Sequence, residues 1–264
     1  MLSRSPATLH GDLVANNVAD STPRDAFRIL ELGSGTGLVG LLASQVARYH
    51  LPDRISVCVD LTDYHEKVLE NLEYNLAANP VPAPVITTTG GTKAIMTQAA
   101  RALDWLLVTE HLQQLRSSPS SPSPLQQPQF WWMAHRESYD VVLAADVIYS
   151  PDHPEWLLAC IDYFLSSHAS SASIDDGRNR NAGSAAAARA HVLCPIRLHG
   201  RFGEWDLIAI ADEVFSRRRN VTNATEIAAD QGCILVERRQ DAKIKGIGRE
   251  DESGYIHWIF ERRI

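Results

Sequence analysis

No stretch of the 264 residues reaches 18 consecutive apolar positions, so no segment is expected to cross a membrane. The opening MLSRSPATLHGDLVANN lacks the continuous apolar core of a secretory signal. Cysteine is scarce: Cys58, Cys160, Cys194 and Cys233 stand far apart with no C-x-x-C pair, which gives neither a zinc site nor a disulfide framework. Cys58, Cys194 and Cys233 lie inside apolar runs and read as small buried hydrophobes. An excess of positive charge is also missing. The formal net charge of −7 argues against binding driven by nucleic-acid phosphates. These absences leave a cytoplasmic or nuclear protein, expected to be a monomer with no metal, membrane or nucleic-acid partner.

What is present is an ordinary globular balance, 45% hydrophobic and 22% charged. Residues 1–26 are polar and aperiodic and read as an N-terminal extension; 27–264 read as a single domain. Phe27 to Leu30 is a short strand that runs into a glycine loop. Leu38, Leu41, Leu42, Val46 and Tyr49 then recur at helical spacing. Ile55 to Val59 is a second apolar strand, and Val68, Leu69, Leu72 and Leu76 mark a second helix that stops at Asn79-Pro80. A strand, helix and strand in this spacing need a crossover, hence parallel strands with helices on the sheet faces.

Val85 to Thr89 is a plausible third strand, and part of Gly90 to Leu115 looks helical. Tyr139 to Ala145 is a continuous apolar run, as expected of a central strand buried on both faces. Next come Asp146-Val-Ile-Tyr149 and a helix with Leu157, Ile161, Phe164 and Leu165 facing inward. Ala190 to Ile196 resumes the sheet and Glu204 to Arg219 reads as a helix. Two strands, Cys233 to Glu237 and Tyr255 to Phe260, close the chain without an intervening helix, so they should pair antiparallel. Low-complexity segments near 117–128 and 166–189 read as insertions. The fold class is α/β: a Rossmann-like, doubly wound seven-stranded sheet, mostly parallel with an antiparallel C-terminal strand pair.

The loop in ILELGSGTGLVGLLAS, residues 29–44, carries two overlapping fingerprints. Gly35-x-Gly37-x-x-Gly40 fits a dinucleotide site. Glu31-x-Gly33-x-Gly35-x-Gly37 fits one for S-adenosylmethionine. Either ligand gains from glycines that let the backbone approach and from the free N–H groups of the helix that follows. Either also wants an acid after the second strand for its ribose hydroxyls. Asp60, 20 residues beyond Gly40, and Asp63 both qualify, so this feature does not discriminate. Glu31 does, because a carboxylate there suits the amino group of S-adenosylmethionine and a dinucleotide has no need of it. So do Asp146-Val-Ile-Tyr149 at the carboxyl end of a central strand and the antiparallel ending.

The residues LELGSGTGLVG (30–40), Leu61-Thr-Asp63, NLEYNLAAN (71–79), Leu103-Asp-Trp105 and Asp146-Val-Ile-Tyr149 resemble, in order, the class I (seven-β-strand) methyltransferases. Among these they are most similar to methyltransferase family 16, a protein-lysine methyltransferase group. The resemblance covers roughly residues 27–165. It implies a strand order of 3-2-1-4-5-7-6 and S-adenosyl-L-methionine as cofactor. Glu31, Gly33, Ser34, Gly35, Thr36 and Gly37 would line its methionine part, and Asp63 would hold the ribose. Asp104 and Trp105 would sit by the adenine, with Ala145 also lining the cofactor; Asp146 and Tyr149 would flank the methyl group and the nucleophile.

The expected reaction is methyl transfer to a lysine side chain of a protein substrate. A small-molecule amine acceptor would use the same residues. A nicotinamide-dependent oxidoreductase would need a hydride-relay residue that the sequence does not offer. A catalytically silent interaction protein on the same scaffold is the third class, because residues 1–26 hold no tryptophan where the family carries a tryptophan-bearing helix.

Overall fold

The computed structural model describes residues 26–51, 55–81, 95–117, 130–167, 187–197, 206–218, 232–246 and 249–262. Seven strands form one sheet: β1 (Phe27–Leu32), β2 (Val57–Asp63), β3 (Met96–Ala102), β4 (Val141–Ala145), β5 (Arg189–Arg197), β6 (Cys233–Ala242) and β7 (Glu252–Arg262). Their order is β3-β2-β1-β4-β5-β7-β6, the order the family resemblance implies. β1 to β5 pair in parallel, and β7 runs antiparallel to both β5 and β6. The sheet is therefore mixed, mostly parallel and Rossmann-like, as the sequence pattern requires.

Five helices are described: α1 (Leu38–His50), α2 (Glu66–Ala78), α3 (Trp105–Ser117), α4 (His153–Phe164) and α5 (Leu207–Ser216). The side chains of β1 alternate between two cores, as the two-residue period of a strand demands. Ile29 joins Val57, Val59, Leu61 and Leu72 beneath α1 and α2. Leu30 and Leu32 join a larger cluster with Val108 of α3, Leu157 and Ile161 of α4 and Phe215 of α5. Leu157, Ile161, Phe164 and Leu165 face inward as expected.

Three sequence expectations are corrected. The strand beside β2 is Met96–Ala102, in the first part of the Gly90 to Leu115 stretch, whose helical part is α3; Val85 to Thr89, the strand expected there, lies outside the described residues. With one β-branched residue, Thr97, and three alanines, β3 carries little strand signal. The second correction concerns α1, whose buried face is Gly40, Ser44 and Ala47, whereas Leu38 (71% exposed), Leu42, Val46 and Tyr49 (85%) point outward. Small residues face the sheet because the helix lies close to it. A Cβ on Gly40 would stand 2.6 Å from Glu31 Oε2 and 3.0 Å from Leu61. The third correction concerns the basic triplet Arg217-Arg-Arg219, which at a helix end reads from the sequence as a solvated, dipole-complementing terminus. Arg217 is exposed, but Arg218 reaches the buried Asp162 carboxylate at 2.7 Å.

Trp131 and Trp132 pack inside a single 3-10 turn, Trp131–His135. Trp131 Nε1 donates to the Ala102 carbonyl (2.7 Å), and its ring lies over the Arg101 guanidinium. Arg101 in turn pairs at 2.6 Å with Asp60, which is fully buried in β2 and also accepts from the Tyr139 hydroxyl at 2.7 Å. Asp60 is thus an internal brace joining β2, β3 and the entry to β4.

Arg101→Met should cost about 3 kcal/mol, the lower end of the range for leaving a buried charge unpaired, because Arg101 itself keeps some water contact. In urea unfolding, an Asp60→Asn/Arg101→Met double variant should lose less than the sum of the single losses. Strict additivity would show that the pair does not act as a brace.

Candidate functional site

The sequence-selected residues converge on the carboxyl edge of β1 to β4, where open α/β sheets place their ligands. β1 ends in Glu31-Leu32, and the chain turns through Gly33, Gly35 and Gly37 at φ of 68°, 54° and 80°. That left-handed backbone is costly for a residue with a Cβ. Gly33 lies against the next segments of the site. A Cβ there would come within 2.8 Å of Val147 and 3.2 Å of Trp105. At Gly37 a Cβ would strike Leu72 and Leu61. At Gly35 it would meet nothing within 4 Å. The open side of the loop is therefore at Gly35.

Ser34 is buried, its amide donates to Thr62 O (2.8 Å), and its hydroxyl points at Glu31 O (3.4 Å). The Thr36 carbonyl accepts from Asn75 of α2 at 2.8 Å, so the motif segment 71–79 braces the loop from outside. Asp63 ends β2 and receives the Gly35 amide on Oδ2 (3.3 Å) and the His65 amide on Oδ1 (3.0 Å). Of the two candidate ribose acids, Asp63 stands beside the open side of the loop. Asp60 is buried and committed to Arg101 and Tyr139, which leaves Asp63 as the ribose candidate.

Glu31 is 3% exposed and accepts the Gly40 amide on Oε2 at 3.0 Å. Burial raises its carboxyl from 4.5 to about 7, and the Asp63 charge adds to the rise. The Ser34 hydroxyl and the Gly40 amide oppose it. Asp104 is exposed and caps α3, taking the Leu106 amide on Oδ1 at 2.9 Å. Trp105 is half-buried between Gly33 and the His153 ring, whose centroid is 5.7 Å away.

Ala145 closes β4 opposite Leu193 of β5, and the Asp146 amide donates to Leu193 O (2.8 Å). Asp146 itself adopts φ 55°, a left-handed conformation on a non-glycine residue. Its Oδ2 is 2.6 Å from Arg197 Nη2 at the end of β5. Tyr149 is 42% exposed, and its hydroxyl is raised by burial and by the Asp146 charge, with Arg197 opposing. His153, the first residue of α4, holds this turn. Its Nδ1 lies 3.0 Å from the Val147 carbonyl and 3.3 Å from the Tyr149 amide. Protonated, Nδ1 donates to the carbonyl; unprotonated, it accepts from the amide.

Two charged residues of this edge, Arg197 and Glu252, were not singled out from the sequence. Arg197 Nη2 is 3.8 Å from Glu252 Oε1. The available signal was positional: Arg197 directly follows the apolar run of β5, as Asp146 follows that of β4. Among the described residues, no group of three or more His, Cys, Asp or Glu is arranged to hold a metal ion, and no helix is long and apolar enough to cross a membrane.

A model of the lysine methyltransferase family matches residues 10–109, which bears out the resemblance read from the sequence. Protein-lysine N-methyltransferase EFM2 of Saccharomyces cerevisiae is 31% identical over 140 residues. That alignment covers 53% of this chain and 25% of the yeast protein, so the chain matches about a quarter of that relative's length. A solved methyltransferase from Pyrococcus furiosus aligns over 90% of this chain and 76% of its own, with 11% identity and a TM-score of 0.41. An O-methyltransferase from Bacillus cereus, solved with SAH, aligns over 98% and 83%, with 12% identity and a TM-score of 0.39. Likeness this distant adds nothing to the topology already described.

The Glu31 shift sets a pH dependence. Between pH 4.5 and about 7 the folded protein holds a proton that the unfolded chain has released. Stability therefore falls as pH rises through that window, by about 3 kcal/mol once pH exceeds the folded value. Glu31→Gln removes this slope. Urea unfolding at pH 5 and pH 8 should show the variant losing less stability than the parent over that interval; equal losses would place the Glu31 carboxyl at an ordinary value.

Proposed function

We propose that the chain is an S-adenosylmethionine-dependent methyltransferase whose acceptor is a lysine side chain of a protein substrate. One observation carries the cofactor reading: Gly35 is the loop glycine whose Cβ direction is open, and its amide donates to the Asp63 carboxylate at 3.3 Å. A ligand there meets the loop backbone and an acid suited to ribose hydroxyls, and the strand that enters the loop carries the buried Glu31. The family match over residues 10–109 and the lysine N-methyltransferase activity for which the yeast relative is named support the lysine acceptor.

On this reading Glu31 and residues 33–37 hold the methionine part, Asp63 the ribose, and Asp104 with Trp105 the adenine. When bound, the cofactor would supply an activated methyl group on its sulfonium, so the protein needs neither a metal nor a covalent nucleophile. Its own work is placement and exclusion of water. A lysine amine starts near pKa ~10.4 and must be neutral to attack. Asp146 attracts and orients it; Tyr149 lines its approach.

Calorimetric titration with S-adenosylmethionine and separately with NADH tests the reading. Micromolar S-adenosylmethionine binding is expected, with no NADH signal. Gly35→Arg should abolish it, and Asp63→Asn, which leaves the glycine backbone unstrained, should weaken it by about tenfold. A folded parent protein that binds neither ligand would overturn the proposal. Transfer of labelled methyl to lysine-bearing proteins, lost in Asp146→Ala, would establish the acceptor class; label appearing only on small amines would refute the protein-substrate reading.

A further inference from the structure

The site contains a cation that methyl transfer does not obviously need. Arg197 ends β5 where the register with β7 shifts: Ile196 faces Gly254, yet Arg197 faces Glu252. Such a bulge re-aims the side chain next to it. Here it coincides with an Arg197 side chain aimed along the carboxyl edge at Asp146. The Arg197 side chain is only 13% exposed, and that of Glu252, beside it, 7%. Glu252 is itself held by the Arg249 amide (3.0 Å) and the Tyr255 hydroxyl (3.2 Å) on its Oε2.

The contact with Asp146 is one-pronged. Nη2 meets Oδ2 at 2.6 Å, while Asp146 Oδ1 and Arg197 Nε are shielded from solvent and hydrogen-bond to no described residue. A side-on, two-pronged pair would have used both. The Asp146 side chain nevertheless stays 41% exposed, so its accessible face is the oxygen that Arg197 already touches. Its left-handed backbone needs fixing from outside, and the Leu193 carbonyl and Arg197 supply it.

We propose that Arg197 is a positioning residue for the acceptor amine: it fixes Asp146 through Oδ2 and shares that oxygen with the incoming nitrogen, while Glu252 keeps the guanidinium in place. The inference rests on the methyl-transfer reading. Its physical content is charge. Asp146 and Glu252 against one Arg197 leave a single negative charge. An Asp146 without Arg197 would grip an ammonium and hold it protonated, which opposes attack. Sharing the oxygen orients the nitrogen and keeps it readily deprotonated.

The test uses two nucleosides, S-adenosylhomocysteine and sinefungin, in which a carbon bearing a primary amine replaces the methylated sulfur. In Arg197→Gln, sinefungin should gain about tenfold in affinity relative to S-adenosylhomocysteine at neutral pH, as expected for uncovering one partly exposed charge. Arg197→Lys should restore the parental ratio, and Asp146→Asn in the Gln background should erase the gain. A purely structural role would move both ligands in parallel, and that result would overturn the proposal. Thermal melting reports whether Arg197→Gln folds; if it does not, Glu252→Gln, which removes a negative charge and leaves Arg197 to Asp146 alone, should shift the ratio in the opposite direction, and no shift would again overturn it. Failure of the parent protein to bind either nucleoside would instead sink the methyl-transfer reading, before any variant is compared.

Discussion

The carboxyl edge of this sheet rests on a steric constraint: between β1 and α1 the backbone must turn left-handed three times within five residues. Only residues without a Cβ do this cheaply. Because the loop turns so tightly, α1 begins close to the sheet, and the Gly40 amide can reach the Glu31 carboxylate. Because Gly33 has no side chain, Val147 and Trp105 close on it and bring the ends of β3 and β4 to the loop. The turn thereby fixes where a ligand meets the protein and leaves Gly35 as the open position.

Below that edge the sheet is tied by charge as well as by apolar packing. Asp60 of β2 gathers Arg101 of β3 and Tyr139 at the entry to β4. Asp162 of α4 receives Arg218 and the Cys233 amide, and the buried Arg262 donates to the Asp162 and Leu165 carbonyls and to Glu137. Asp60, Asp162 and Arg262 each have several partners, the condition under which burial of charge is tolerated. Such pairs rigidify the frame around the edge rather than adding much net stability.

Features set by local pattern were legible in the sequence. The glycine loop, the apolar run of β4, the Asp146 to Tyr149 turn and the antiparallel ending are each written in a few neighbouring residues. β3 was not legible, since an alanine-rich segment with a single β-branched residue carries no strand period and takes its form from β2 alongside it. The inward face of α1 was misread for a related reason. Hydrophobic spacing marks a helix, but close approach to the sheet selects Gly40, Ser44 and Ala47 for the inside over the larger apolar residues. Charge partners were invisible: Asp60 with Arg101, Asp146 with Arg197 and Glu137 with Arg262 are 41 to 125 positions apart.

β7 lies between β5 and β6, although it is the last of the described strands in chain order. A ribosome therefore delivers the inner strand of this half of the sheet after both of its neighbours. Until it arrives, β5 and β6 each present an unpaired edge, the kind of surface on which nascent chains misassemble. The frame that carries Arg197 and Glu252 thus forms late. A cell slowing synthesis before residue 252 would hold a chain whose glycine loop can already exist but whose Arg197 has not yet met Glu252.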